Sequence, residues 1–214
     1  MKRSQRLAIA LVVLAAGLAA GNSADASEID LGGGWFVSLP AGVTIPMDNV
    51  TITPEYIKLD IVKVISQEPN EFGEFTPLHM FFRKTASAPS KLIIDQELVT
   101  NNTGVAWSDF HMYIGFGPAG FNQAESTPLS TDPFTQPATF LKPIGWNNLP
   151  TQIDFQGGTV PDGGIFRPGE TQGQIVIDTA PMDTIFMLKE VPTTPEPASL
   201  LIVACGWLAA RRRR

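Results

Sequence analysis

The chain has 214 residues, of which 15 are basic and 21 acidic, and its only cysteine is Cys205. The acidic balance argues against binding to nucleic acid or to an anionic lipid surface, because both require clustered lysine and arginine. A single cysteine also excludes a disulfide within the chain, so stability has to come from packing.

Residues 1–26 have the pattern of a secretory signal peptide. Three basic residues precede an apolar segment over residues 7–20. Ala24 and Ala26 then form a small-residue cleavage motif, with Ser27 as the first residue of the exported protein. We therefore expect the secretory translocon to carry the chain across the membrane unfolded.

Residues 27–190 are predicted to form one all-β domain, a single antiparallel β-sandwich of the immunoglobulin-like or jelly-roll-like kind. Short β-favouring runs alternate with Gly, Pro, Asn and Asp, and no dozen residues keep a helical apolar period. About eight strands at this spacing are typical of a sandwich. We expect them over residues 34–39, 56–65, 77–84, 92–100, 105–114, 151–155, 174–178 and 184–189.

Two features of this region predict how the strands connect. The segment from Asn101 to Gly104 has the Asn and Gly residues of a tight turn, so it is predicted to join residues 92–100 and 105–114 as a hairpin. Residues 115–143 contain five prolines. Because proline cannot donate to a strand ladder, at most edge strands are expected there.

Alternation along residues 105–114 gives the one candidate binding surface. It places Trp107, Asp109, His111 and Tyr113 on one face, opposite an apolar stripe that includes Phe110 and Met112. Such a face could bind carbohydrate, since an aromatic ring stacks on a sugar while Asp and His bond its hydroxyls. The alternative is a solvated outer face of a sheet with no ligand.

No catalytic, metal or cofactor site is expected from the sequence. Asp109 and His111 could be considered as a hydrolase pair, but no Gly-x-Ser-x-Gly motif accompanies them. Two histidines are too few for a histidine-rich zinc site. Glu68, Glu71 and Glu74 are the densest acidic group, and a solvated acidic turn is favoured there over a calcium loop.

Residues 191–214 have the organisation of a membrane-directed tail. A proline-rich stalk over residues 191–197 contains Pro195, Glu196 and Pro197, and a hydrophobic helix is predicted over residues 198–210. Four basic residues complete the tail: Arg211, Arg212, Arg213 and Arg214. A helix of this length spans ~20 Å of a ~30 Å hydrocarbon layer. We therefore expect it to anchor the chain in the membrane only until the tail is cleaved off.

This tail resembles the PEP-CTERM sorting signal of Gram-negative bacteria, carried here by Pro195-Glu196-Pro197-Ala198-Ser199, the apolar run and the basic end. The resemblance implies that an exosortase-like membrane protease or transpeptidase recognises the Pro-Glu-Pro element and cuts near it. The protein would occupy the inner membrane transiently and then the cell surface, outer envelope or extracellular matrix. Residues 97–111 and 188–192 are also similar to PEP-CTERM sandwich proteins of unassigned activity.

The expected function is that of an exported, non-enzymatic surface or matrix protein. The first alternative is a carbohydrate-binding module that acts on exopolysaccharide, and a more distant one is an extracellular hydrolase. Without both end segments the chain carries 8 basic and 19 acidic residues, a net charge of −11 that favours solubility outside the cell.

Overall fold

The structure, a computed structural model, describes residues 27–126, 132–142, 145–168 and 174–194. These ranges contain fourteen β-strands and two short 3-10 turns, Met47–Asn49 and Trp146–Asn148. The strands are β1 (Ile29–Gly32), β2 (Trp35–Ser38), β3 (Val43–Thr44), β4 (Thr51–Ile52), β5 (Ile57–Ile65), β6 (Leu78–Lys84), β7 (Lys91–Asn101), β8 (Asp109–Phe116), β9 (Ala119–Phe121), β10 (Thr139–Leu141), β11 (Gln152–Phe155), β12 (Ile165–Phe166), β13 (Ile175–Thr179) and β14 (Thr184–Thr193).

The strands form two seven-stranded sheets whose buried faces share one core, which confirms the all-β prediction and is consistent with a β-sandwich. Sheet A has the order β1-β2-β6-β14-β8-β11-β10. Sheet B has the order β3-β5-β7-β13-β9, with β4 beside β5 and β12 beside β7. The prediction of purely antiparallel pairing is wrong, because β5 and β7 run parallel.

Alternating apolar residues build the core from both sheets. In β5, Ile57, Leu59, Ile61 and Ile65 are all buried, as the period-2 pattern predicts. Sheet A contributes aromatic rings, with Phe82 stacked on Phe186 at 5.3 Å between ring centroids. Each fully buried large apolar side chain stabilises the fold by about 1.5–3 kcal/mol, so this stripe decides which face of each strand points inward.

The predicted hairpin at Asn101–Gly104 is wrong. The preceding strand, β7, pairs in sheet B with β5, β12 and β13, whereas the next strand, β8, pairs in sheet A with β11 and β14. The turn therefore carries the chain from one sheet to the other. Gly104, at φ +80°, provides the positive φ that the turn residues indicated.

The crossing is fixed by the side chain of Asn101, which is completely buried. Its amide nitrogen donates to the carbonyls of Val105, Val160 and Pro161 at 2.8, 3.0 and 3.1 Å. Its amide oxygen accepts from the backbone N–H and the hydroxyl of Thr103. One side chain thus satisfies polar groups from the turn and from the loop that follows β11.

The prediction for the proline-rich segment holds for its described residues except Gly115 and Phe116, which end the central strand β8. Within residues 115–143, β9 lies at one end of sheet B and β10 at one end of sheet A. A strand at the edge of a sheet needs backbone donors on one side only. A proline-rich segment, which has few donors, can therefore form a strand there.

The predicted boundary between domain and stalk is wrong by at least three residues. Val191, Pro192 and Thr193 continue β14 and pair with His111, Phe110 and Asp109 of β8. Pro192 is tolerated because the pairing with β6 already ends at Glu190, so one side of β14 has no neighbouring strand there.

The remaining predictions for the chain ends concern residues outside the described ranges. They comprise Ala24 and Ala26 before Ser27, Pro195, Glu196 and Pro197 with the helix after them, and Arg211, Arg212, Arg213 and Arg214. Among the residues that the structure does describe, none belongs to a helix of sufficient length and apolarity to cross a bilayer.

Candidate functional site

The outer face of sheet A contains the predicted site residues of β8. Phe110, Met112 and Ile114 are buried, so Asp109, His111 and Tyr113 point to the opposite face, where all three are half-buried. The flanking strands complete the face, since β11 and β14 pair with β8 on its two sides. Three of the four predicted residues are therefore brought together.

Trp107, the fourth, is not on this face. It is completely buried, its Nε1 donates to the Thr103 hydroxyl at 3.2 Å, and its ring packs edge-on against Phe75. The prediction failed because β8 begins only at Asp109, while Trp107 makes an isolated bridge to Val160. Alternation counted from β8 therefore does not reach Trp107, and its indole cannot stack on a ligand.

A fixed polar group lies next to His111. Its Nδ1 is 2.7 Å from Oδ1 of Asp154, which is directly opposite it on β11. Gln152 donates from Nε2 to the same carboxylate oxygen at 2.7 Å. His111 therefore pairs with Asp154 rather than with Asp109, whose carboxylate accepts from the Thr193 hydroxyl. The hydrolase pair considered from the sequence is not formed.

Tyr113 is held between charged and polar neighbours. The Lys189 ammonium, opposite it on β14, lies 4.6 Å from the centre of its ring. Burial and the nearby Asp154 carboxylate raise the pKa of Tyr113, so its hydroxyl stays protonated and can donate a hydrogen bond. His79 of β6 lies opposite Lys189 on the other side of β14. Burial and the Lys189 charge lower the pKa of His79, which favours a neutral imidazole near neutral pH.

A cavity of about 530 Å³ opens beside Tyr113 on this face. We call it the sheet A hollow and define it by the side chains of Tyr113, Phe116, Trp146, Thr151, Met187 and Lys189. Its volume is within the ~300–1,000 Å³ typical of small-molecule sites. Sequence reasoning missed Trp146, which lies far along the chain from β8 and is half-buried in a short 3-10 turn.

Backbone geometry shapes the hollow. A register shift between Met187 and Leu188 of β14 leaves Gly115 as an extra residue in β8, so the neighbouring Phe116 is exposed. Gly117, at φ +94°, lies against the backbone of Ile185, where a Cβ would collide with the carbonyl oxygen. Asn147 and Asn148 have φ of 54° and 59°, a left-handed conformation that asparagine tolerates and that positions the turn beginning at Trp146.

A second cluster, which sequence reasoning missed, lies inside the core. Lys63 of β5, Glu97 of β7 and Glu190 of β14 are at most 1% exposed and join sheet B to sheet A. We call them the core triad. Lys63 Nζ donates to Oε1 and Oε2 of Glu190, both at 2.5 Å, and to Oε1 of Glu97. Among the described residues, Glu97 Oε2 has no hydrogen-bond partner.

Two groups of the core triad, Lys63 and Glu190, have raised pKa values. Burial, followed by the Glu97 carboxylate, raises the pKa of Glu190 to about 8. Burial alone would lower the pKa of Lys63, but Glu190 and Glu97 together raise it above its ordinary value. Near neutral pH the raised pKa values keep Glu190 largely protonated and Lys63 a cation.

The other sequence candidates do not form a site. Asn70 bonds the Glu74 carboxylate and two backbone N–H groups in the acidic turn. Across the part of the chain that the structure describes, no three His, Cys, Asp or Glu side chains are grouped to hold a metal ion.

Comparison with known proteins adds no assignment to this geometry. No protein-family model matches the chain. No curated protein and no solved structure is significantly similar to it either.

Proposed function

We propose that this chain is an exported, non-enzymatic protein of the cell surface or extracellular matrix that binds polysaccharide through the sheet A hollow. The observation that carries the binding proposal is that the rings of Tyr113 and Trp146 line one cavity together with the polar side chains of Thr151 and Lys189. An immunoglobulin-like or jelly-roll-like sandwich would provide such a face on the outside of one sheet.

The side chains suit a sugar ring. The rings of Tyr113 and Trp146 offer apolar surfaces of the kind that stack on the C–H face of a pyranose. Within the cavity, Lys189 and the hydroxyls of Tyr113 and Thr151 can bond a sugar. The Asp154 carboxylate, which His111 and Gln152 hold in place, lies outside the cavity lining. Polar groups that are already ordered cost little conformational entropy on binding.

Replacing Trp146 with alanine is expected to weaken glycan binding about tenfold, because removal of one stacked ring costs up to roughly 1.5 kcal/mol. Binding is measured by affinity electrophoresis in gels containing neutral and acidic exopolysaccharides. Phe72→Ala is the matched control, since Phe72 is 76% exposed on a distant loop. A Trp146→Ala protein that melts and binds like the wild type would refute the role of the hollow.

Delivery to the surface is proposed from the tail, whose Pro195-Glu196-Pro197 element, apolar run and four arginines resemble a PEP-CTERM signal. In this proposal the secretory translocon exports the chain, the helix over residues 198–210 holds it transiently in the inner membrane, and an exosortase-like enzyme releases it. Arg211, Arg212, Arg213 and Arg214 remain on the cytoplasmic side before cleavage.

Deleting residues 211–214 is expected to abolish processing and to shift the protein away from the surface fraction. Cells expressing the wild-type or truncated chain are fractionated, and mass spectrometry identifies the mature carboxyl end in each fraction. The wild-type surface protein should end near Pro195. A wild-type chain that retains Arg214 and stays in the inner membrane would contradict the proposal.

A further inference from the structure

The core triad is a place where a covalent bond can form between the two sheets. An amine and two carboxyl groups meet there in a chain that cannot form an internal disulfide. Lys63 Nζ is 2.5 Å from both oxygens of the Glu190 carboxyl group, so the amine is held next to that group by two hydrogen bonds. The free Oε2 of Glu97 completes the cluster.

We propose that Lys63 and Glu190 become joined by an amide bond between Nζ and Cδ, with Glu97 as the residue that transfers the protons. The bond would connect β5 of sheet B to β14 of sheet A across the core. It is a self-modification of the folded domain and is independent of polysaccharide binding.

The surroundings of the core triad exclude water. Lys63 pairs in register with Val43 of β3 and Val99 of β7, and Glu190 pairs with Met112 of β8. All three of these neighbours are buried. A dry site with fixed reacting groups raises the effective concentration of the amine and the acid.

The step balances without an oxidant or a second reactant. Lys63 first gives one proton to the Glu97 carboxylate and becomes a neutral amine. Its nitrogen lone pair then attacks Cδ of the protonated Glu190, and the C–N bond forms. Glu97 returns its proton to the departing hydroxyl of Glu190 and accepts one from the nitrogen, so the C–O bond breaks and one water leaves. The products are a secondary amide and a neutral Glu97.

Energetics favour this outcome inside the core. Before the step, the triad holds a buried cation and a buried anion, whose desolvation opposes folding. After the step, none of the three residues carries a charge. The amide N–H can donate to the Glu97 carboxyl group, and the released water gains the freedom of bulk solvent.

Peptide mapping of the purified wild-type protein tests the bond. Trypsin should fail to cut after Lys63, and peptide 59–83 should be linked to the peptide that begins at Glu190. The linked pair should be about 18 Da, one water, lighter than the two peptides together. Linked peptides are used because processing at either end changes the intact mass. Recovery of unlinked peptides with cleavage after Lys63 would overturn the proposal.

Two variants separate the roles of the glutamates. Glu97→Gln should fold but remain unlinked, because an amide cannot relay the protons. Glu190→Gln places a carboxamide at the reacting carbon, so the link should form with a loss of about 17 Da, one ammonia. A loss of about 18 Da in Glu190→Gln would place the bond on Glu97, and a link in Glu97→Gln would show that Glu97 is not needed. Either result overturns the assignment.

Discussion

Relative to the wild-type chain before Lys63 and Glu190 are linked, Lys63→Met is expected to lower the free energy of unfolding by about 3–5 kcal/mol near neutral pH, because it leaves two buried carboxyl groups without a cation. Lys63 is completely buried and bonds both Glu97 and Glu190. For a domain of this size the melting temperature should fall by roughly 10 °C. Calorimetry and chemical denaturation measure the change.

The loss should depend on pH in a defined direction. In the wild type, burial and Glu97 raise the pKa of Glu190 to about 8, while Lys63 acts to lower it. Without Lys63 the folded-state pKa therefore remains at or above this value, whereas the ordinary pKa is 4.5. In both proteins the folded chain keeps a proton that the unfolded chain releases, so stability falls as pH rises from about 4.5 to 8. The variant, whose Glu190 pKa is at or above the wild-type value, should lose more than the wild type only above about pH 8.

A matched control is available on the same strand. Lys58 of β5 forms an ion pair with Asp95 at 3.0 Å on the outer face, and both side chains are about a third exposed. Lys58→Met should change stability by less than about 1 kcal/mol, as exposed pairs do. Combining Lys63→Met with Glu97→Gln and Glu190→Gln should recover much of the loss. If Lys63→Met proves as stable as Lys58→Met, removing the buried cation costs no more than removing the exposed one, and the prediction is wrong.

Asn101→Ala is expected to destabilise the domain by about 3 kcal/mol or more. The substitution removes the shared donor of three carbonyls, those of Val105, Val160 and Pro161, and each hydrogen bond that is lost contributes about 0.5–1.5 kcal/mol. It also removes the acceptor for Thr103. Urea denaturation followed by tryptophan fluorescence is suitable, since Trp107 bonds to Thr103 and reports on this crossing.

The neighbouring residue provides the comparison. Asn102 is exposed in the same turn, so Asn102→Ala should lie within about 0.5 kcal/mol of the wild type. If Asn101→Ala is as mild as Asn102→Ala, the network around Asn101 does not hold the crossing between the sheets.

Strand positions were predictable because apolar alternation is a local property. The pattern of Ile57, Leu59, Ile61 and Ile65 gave β5 to within one residue, and residues 77–84 and 151–155 likewise contain β6 and β11. Partner choice was not predictable. The turn at Asn101 has the residues of a hairpin, but whether β8 joins β7 or enters the other sheet depends on contacts distant in sequence.

The core triad shows which signals the sequence does and does not contain. Lys63 is two residues from both Ile61 and Ile65, so its side chain points to the same buried face of β5. A charged residue within a buried apolar stripe was therefore visible in the sequence. Glu97 was hidden, because the parallel register with β5 shifts at Asp95 and only this extra residue turns Glu97 inward. Trp146 was equally hidden, since a tertiary fold brings its turn to β8.

The order of synthesis has a consequence for sheet A. Its central strand, β14, is the last one in the described chain and lies between β6 and β8. Until residue 193 has emerged, sheet A consists of two separate three-stranded pieces with no shared ladder. The domain therefore cannot complete its assembly progressively from its amino end during synthesis, and the last step requires residues 184–193.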